Sequence, residues 1–252
     1  MLCNTFFISE CPQHKHSISN SVVSMQALLR NFVGILFPNT CLICNENLMQ
    51  GESQICLHCF NNIPRTNFHK VKDNEVEKRF WGKADIYKAT AFFYYSKGSS
   101  FQQLLHELKY KGNYEIGVVA GKFAAIDLLE NGYFNDVDLL IPIPLHRKKF
   151  LKRGYNQSEK IALGMGELLE KPVETRLLQR LKNTDTQTKK SVFERYENTS
   201  GVFELLNSDS LGNKHVLLVD DVLTTGSTIE AAVLAFGQCK NIKISVFTLA
   251  MA

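Results

Sequence analysis

Two patterns in the chain carry residue types that do chemistry. The first is "CLICNENLMQGESQICLHC", where Cys41, Cys44, Cys56 and Cys59 form one C-x2-C pair, eleven intervening residues and a second C-x2-C pair. Each pair can turn as a knuckle that presents two thiolates to one metal, and two knuckles complete a tetrahedral S4 set. Zn2+ suits such a set, being redox-inert and fond of thiolate, and a site with four protein ligands is closed, so its role is structural. The alternatives are two disulfides or four buried thiols. Disulfides need an oxidising compartment, which nothing in the sequence suggests. Glu52 and His58 lie among the cysteines and read as surface residues rather than ligands. The second pattern is "HVLLVDDVLTTGSTIEAA" (215–232), where an apolar run stops on Asp220 and Asp221 and gives way to hydroxyls and a glycine. Two adjacent buried carboxylates repel each other and lose hydration, so they call for a compensating partner. The vicinal hydroxyls of a ribose, with Mg2+ nearby, are a natural one. "TTGST" then offers amides and hydroxyls where a helix begins, and a helix N-terminus favours an anion. A carboxylate pair for a sugar diol beside an anion nest for its phosphate describes a ribose 5-phosphate site.

The elements that must position these residues follow from periodicity. "KATAFFYY" (88–95) reads as a strand. "FQQLLHELKY" places Phe101, Leu104, Leu105 and Leu108 on one helical stripe, and "EIGVVAGKFAAIDLLENG" reads as a second helix closed by Asn131-Gly132. "VDLLIPIP" (137–144) is a short apolar run ended by prolines, hence a buried strand. "SEKIALGMGELL" (158–169) reads as a helix with Ser158 as its cap. "RLLQRL" (176–181) and "SGVFEL" (200–205) are strand-like and flank the polar stretch "KNTDTQTKKSVFERYENT". "HVLLVD" reads as a buried strand, "STIEAAVLAFGQC" as a helix and "IKISVFTLA" as a last strand. Strands alternating with helices indicate an α/β fold with a mostly parallel sheet. Ligands of such sheets bind outside the carboxyl ends of the strands, which is where Asp220 and Asp221 fall.

The domain organisation expected from these textures is an N-terminal tail and helix (1–35), a zinc-binding module (36–64), a polar linker (65–87) and the α/β domain (88–252). The 252 residues suffice for a substantial core, and the net charge of +4 is too weak by itself to argue for nucleic acid. No apolar stretch is long enough to span a bilayer, so no membrane partner is expected. "ALLRNFVGILF" (27–37) is interrupted by Arg30 and reads as an amphipathic helix rather than a signal peptide. The stretch before Met25 is polar and aperiodic and reads as a tail, with Met25 a candidate start. A cytoplasmic protein is expected.

The thirteen residues "VLLVDDVLTTGST" resemble the phosphoribosyl pyrophosphate (PRPP) signature of type I phosphoribosyltransferases. The four-cysteine module, "IPIPLHRKKFLKRGYNQSEKIA" and "TDTQTKKSVFERYENTSGVFEL", in that order, resemble the ComF family of competence-associated phosphoribosyltransferase-like proteins over about residues 36–250. That resemblance implies a type I phosphoribosyltransferase-like sheet and a link to incoming single-stranded DNA and the DNA-uptake machinery. It places Asp220 and Asp221 on the ribose hydroxyls as the catalytic pair, and Thr224, Thr225, Gly226, Ser227 and Thr228 around the 5′-phosphate. Arg153, Gly154, Asn156 and Gln157 fall in the pyrophosphate loop, and Gln187 and Arg195 in the flexible loop over the substrate. The glycine-rich pair that many phosphoribosyltransferases carry in the pyrophosphate loop is absent here. Lys109, Lys111, Lys148, Lys149 and Arg153 are candidate cations for pyrophosphate, Lys109 equally well a helix-end charge. The basic loop "HRKKFLKR", with Phe150 and Tyr155 interleaved, is a candidate contact for a single strand. The alternatives are a housekeeping phosphoribosyltransferase of nucleotide metabolism, for which no purine- or pyrimidine-reading motif is present, and an interaction scaffold held by the zinc module.

Overall fold

In the computed structural model of the chain, which describes residues 39–181 and 201–252, the apolar run Val216–Val219 is fully buried. A run without polar alternation has no face to give to water, so it belongs in the middle of a sheet covered on both sides. The elements in chain order are α1 (Leu57–Asn61), a 3-10 turn (Phe68–Lys70), α2 (Glu75–Lys78), β1 (Lys88–Tyr94), α3 (Gln102–Tyr110) and α4 (Glu115–Leu129). There follow β2 (Leu139–Pro142), α5 (Arg147–Arg153), α6 (Gln157–Leu169), β3 (Leu178–Arg180), β4 (Phe203–Leu205) and a second 3-10 turn (Ser208–Leu211). The chain ends in β5 (His215–Leu223), α7 (Ser227–Leu234) and β6 (Lys243–Met251). Strands β1, β6, β5 and β2, in that order, form a four-stranded parallel sheet, and β3 pairs antiparallel with β4. The alternation of strands and helices read from the sequence therefore gives the α/β fold with a parallel sheet.

The register of the sheet builds the site. Pro142, the last residue of β2, lies opposite Val219 of β5, one residue before the acidic pair. The amide of Ile143 donates to the Val219 carbonyl at 2.9 Å, so the chain leaving β2 passes the carboxyl end of β5 before α5 and α6 begin. Helix α6 is seated on α4 through glycine. A Cβ on Gly164 would stand 2.1 Å from the Val118 carbonyl oxygen, and one on Gly121 2.2 Å from that of Ile161. The two helices touch backbone to backbone, an approach that only glycine permits. This close seat fixes where the first turn of α6 points.

The structure differs from the sequence reading in several places. "HRKKFLKR" is the short helix α5 rather than a loop. The His146 ring accepts from the Lys148 amide at its start, and Gly154 closes it in the left-handed conformation, φ +81°. None of its residues is buried, so it lacks the apolar stripe that reveals a helix in a sequence. The strand carrying the acidic pair continues past Asp220 to Leu223, paired with β6 as far as Met251. The segment 65–87, read as a linker, buries Phe68, Val76 and Phe80 against β1 and its neighbours, and Thr66 N–H donates to Phe92 O at 3.0 Å. Its helix α2 opens on a capping box, Asn74 with Glu77. Residues Thr40–Ala252 form one compact unit. The expected tail and helix of residues 1–35 lie outside the described residues.

Candidate functional site

Asp220 and Asp221 point into a space at the carboxyl end of the parallel sheet, and each already has a partner. Asp220 Oδ1 accepts from Ser158 Oγ at 2.9 Å and from the Asp221 amide at 2.9 Å. Asp221 Oδ2 pairs with Lys109 Nζ at 3.0 Å. Burial, reinforced by the charge of Asp221, pushes the Asp220 carboxyl up to about 7, against the pull of the Asp221 amide, the Ser158 hydroxyl and Lys109. Ser158 was expected to cap α6, but the N-cap is Asn156, which frees the hydroxyl of Ser158 for the acidic pair. No local pattern marks that role, because it depends on the seat of α6 against the sheet.

The raised pKa of Asp220 has a consequence for stability. An unfolded aspartate titrates near 4, roughly, so the folded state holds this proton more tightly than the unfolded one. The stabilising contribution is complete below that unfolded value and is lost as pH rises through about 7. Asn at this position keeps an acceptor for Ser158 without acquiring charge. Asp220→Asn should therefore raise the melting temperature relative to wild type, by a margin that grows between about pH 4 and pH 7 and then levels off. Parallel thermal scans across that range check it, and a margin independent of pH counts against a buried, titrating Asp220.

The acidic pair shares a cavity of about 180 Å³ with Lys109, Lys149, Arg153 and Arg180, over a floor of Ile143, Pro144 and Leu145, with Val222 and Thr228 completing the wall. Four cationic side chains thus face two carboxylates, one of which holds a proton near neutral pH. That polarity suits a ligand rich in anionic oxygen. Arg153 Nη1 donates to Gln157 Oε1 at 2.7 Å, and its guanidinium lies 5.6 Å from the centre of the exposed Tyr110 ring. Arg180 was missed in the sequence. It ends β3 two positions after the buried Leu178, hence on the same face, a signal that strand alternation provides. Of the other residues named from sequence, Asn156 donates from Nδ2 to Ile143 O at 3.0 Å, Gln157 is buried, and Gly154 closes α5. None of these three lines the cavity. Lys111 pairs with Glu107 at 2.7 Å instead of facing the acidic pair. Gln187 and Arg195 lie outside the described residues.

The segment after β5 turns sharply into α7. Gly226 is its N-cap, at φ +87°, and Phe80 lies beneath it, 3.0 Å from where a Cβ would stand. Thr224, Thr225 and Ser227 are exposed, Thr225 Oγ1 and Ser227 Oγ are 3.0 Å apart, and Thr228 reaches the cavity. Gly226 has no side chain to cap α7, but the Ser227 amide donates to Thr225 Oγ1 at 3.4 Å, so among the described contacts it is the amides after Ser227 that stand at the positive end of the helix dipole.

A second centre lies elsewhere in the same compact unit. The ligand atoms of Cys41, Cys44, Cys56 and Cys59 all fall within 4.8 Å of one another, and none of the four is in a disulfide. The Cys44–Cys56 sulfur separation is 3.7 Å. A tetrahedral zinc with Zn–S of about 2.3 Å would have sulfur–sulfur edges of about 3.8 Å, so the cluster could hold such a metal. The amides of Ile43 and Cys56 donate to Cys41 Sγ, and that of Cys59 to Cys56 Sγ, as thiolates in knuckles require. Burial alone would raise the Cys41 thiol, but the amides of Cys44, Cys56 and Ile43 outweigh it and bring it down to about 7. Glu52 instead binds the amides of Met49 and Leu57, which stiffens the turn between the knuckles.

Residues 167–251 match the phosphoribosyl transferase domain, so the parallel-sheet fold is of the phosphoribosyltransferase type, joined to a four-cysteine module. The chain is 28% identical over 210 residues to competence protein ComFC of Bacillus subtilis, covering 83% of this chain and 82% of that one. It is 27% identical over 212 residues to the DNA utilization protein YhgH of Escherichia coli, covering 76% and 88%. To competence protein F of Haemophilus influenzae it is 32% identical over 116 residues, 46% of this chain and about half, 51%, of that protein. Over most of its length, then, this chain is similar in sequence to proteins named for competence and DNA utilization. Among the described residues, no helix is long and apolar enough to cross a membrane.

Proposed function

We propose that the chain binds PRPP with Mg2+ and serves the handling of incoming single-stranded DNA in natural transformation, in the cytoplasm. The observation that supports it is that Asp220 and Asp221 share one cavity with Lys109, Lys149, Arg153 and Arg180, beside the start of α7, where Thr225 and Ser227 are exposed around the buried Gly226. In this reading the ribose diol hydrogen-bonds to Asp220 and Asp221. The 5′-phosphate meets the hydroxyls of Thr224, Thr225, Ser227 and Thr228 and the first amides of α7. The pyrophosphate lies against Arg153, Lys149 and Arg180. Asp220 and Asp221 would hold Mg2+, which would supply charge neutralisation for the pyrophosphate. The fit rests on the acidic pair itself, since a divalent cation offsets the burial and the like charge of Asp221 that raise the Asp220 carboxyl. The same arrangement is suited to phosphoribosyl transfer, where cleavage at C1 asks the protein to orient the reactants, take up the charge of the leaving pyrophosphate and exclude water.

The names of the relatives, competence and DNA utilization, favour the DNA reading over a housekeeping transferase. Helix α5 is the candidate contact, with Arg147, Lys148 and Lys152 exposed beside Phe150 and Leu151, which are 44% and 73% exposed. Cations that follow a backbone, with an aromatic that stacks a base, are what a single strand needs. Lys149 lines the cavity and belongs to the pyrophosphate side, so the test spares it together with Arg153. Neutralising Arg147, Lys148 and Lys152 should weaken binding of an oligothymidylate and flatten its salt slope, while PRPP affinity is kept. A housekeeping transferase gives the opposite pattern, in which wild type shows no salt-dependent strand binding and the variant loses PRPP.

A further inference from the structure

The loop assigned above to the 5′-phosphate is braced from behind by a segment that plays no part in that assignment. Arg79 directly follows α2. Its Nη1 donates to the main-chain oxygen of Thr224, and its Nη2 to that of Ala252 at 3.3 Å. The guanidinium is therefore a fork between the residue that follows β5 and the residue that follows β6. Phe80, only 1% exposed, packs under Gly226, 3.0 Å from where a Cβ would stand. Lys83 Nζ donates back to Arg79 O at 3.0 Å and pairs with Glu230, in the first turn of α7, at 3.5 Å. The loop is thus held before, beneath and after its glycine by residues of one short stretch, 79–83.

That stretch is itself anchored. Asn74 Oδ1 accepts from the amides of Val76 and Glu77, and its Nδ2 donates to Ala89 O of β1 at 2.9 Å. Val76 is fully buried. The brace therefore connects the sheet edge at β1 to the loop after β5, while the side chains of Thr224, Thr225 and Ser227 remain open to solvent.

We propose that Arg79 is a positioning residue for the phosphate subsite. Its forked hydrogen bonds fix the Thr224 carbonyl, and with it the direction in which the hydroxyls of the loop and the first amides of α7 face a phosphomonoester. The proposal rests on the reading of that loop as the 5′-phosphate site. A planar fork that bridges two main-chain oxygens cannot be replaced by an ammonium, which supplies the charge at a single point. Arg79 touches no substrate in this arrangement, so its loss should act on the ribose 5-phosphate end of the site and leave the pyrophosphate end alone.

The test is a calorimetric titration of wild type, Arg79→Met and Arg79→Lys with ribose 5-phosphate and, separately, with magnesium pyrophosphate, alongside thermal melts. Arg79→Met keeps the apolar stem. It should bind ribose 5-phosphate about tenfold more weakly, the effect of losing well-placed charge-assisted hydrogen bonds, with pyrophosphate binding unchanged within about twofold. Arg79→Lys should recover only part of the loss. If Arg79→Met does not fold, the lysine variant decides, since full-strength binding by it would show that the fork is not needed. Undiminished ribose 5-phosphate binding by Arg79→Met, or an equal loss of both ligands in step with a lower melting temperature, would overturn the positioning role. Wild type that binds pyrophosphate but no ribose 5-phosphate would instead overturn the reading of the loop, and the role of Arg79 with it.

Discussion

Asp220→Ala combined with Asp221→Ala should abolish measurable PRPP binding. The ribose loses both acceptors, and the cavity loses the negative field that would hold a cation against the pyrophosphate. Hydrogen bonds to charged groups contribute roughly 1.5–3 kcal/mol each, so losing two weakens affinity by about a hundredfold or more. The fold should survive, because ionised Asp220 is a buried charge beside a like charge and its removal relieves repulsion. Lys109 and the buried Ser158 hydroxyl lose their partners, and leaving that hydroxyl unpaired costs about 1–3 kcal/mol, a fraction of the stability of a domain. Calorimetry with a matched melting curve measures both sides of this expectation. Undiminished PRPP binding by a folded double variant would refute the assignment of the acidic pair.

Removing the metal should have the other large effect. Purified protein, kept reduced and free of chelator, should carry about one zinc per chain, and Cys56→Ser should lose it. Structural zinc contributes on the order of 10 kcal/mol to small modules, comparable with the roughly 5–15 kcal/mol that holds a whole domain together. The cysteine module is not isolated from the sheet. Cys41, Cys56 and Cys59 share a hydrophobic cluster with Phe92 and Phe93 of β1 and Ala120 and Ala124 of α4, and the Phe60 and Phe123 rings are 4.1 Å apart. Arg65 ties the two parts further, pairing with Asp127 at 2.7 Å and donating to Phe60 O at 3.0 Å. A variant such as Cys41→Ser should therefore loosen the outer face of α4 and the edge at β1 as well. Hydrogen exchange that rises only within residues 40–64 would contradict that coupling, and protein without zinc would remove its basis.

The parts of this molecule that were legible in the sequence are those whose signal is local. The cysteine spacing states its own geometry, and the run Val216–Val219 followed by Asp220 and Asp221 could only be a buried strand that delivers charge to a sheet edge. The parts that were not legible depend on tertiary register. Ser158 looks like a helix cap until the glycine contacts of α6 with α4 turn its hydroxyl toward Asp220. Helix α5 carries no apolar stripe, so its caps, His146 and Gly154, were its only trace. The segment 65–87 looks like a polar linker because just three of its large apolar side chains, Phe68, Val76 and Phe80, are buried. Asn74 with Glu77 is nevertheless a capping-box pattern, visible in the sequence, and it marks the helix that delivers Arg79 to the phosphate loop.

The central claim, that the cavity beside Asp220 and Asp221 is a PRPP site, is tested most directly by titrating PRPP into the wild-type chain by calorimetry, with Mg2+ and again with Mg2+ chelated by a reagent too weak to strip the zinc. The expected result is saturable binding of one PRPP per chain with Mg2+ and much weaker binding without it, with pyrophosphate competing. An absence of saturable PRPP binding by folded, zinc-loaded protein in the presence of Mg2+ would contradict it.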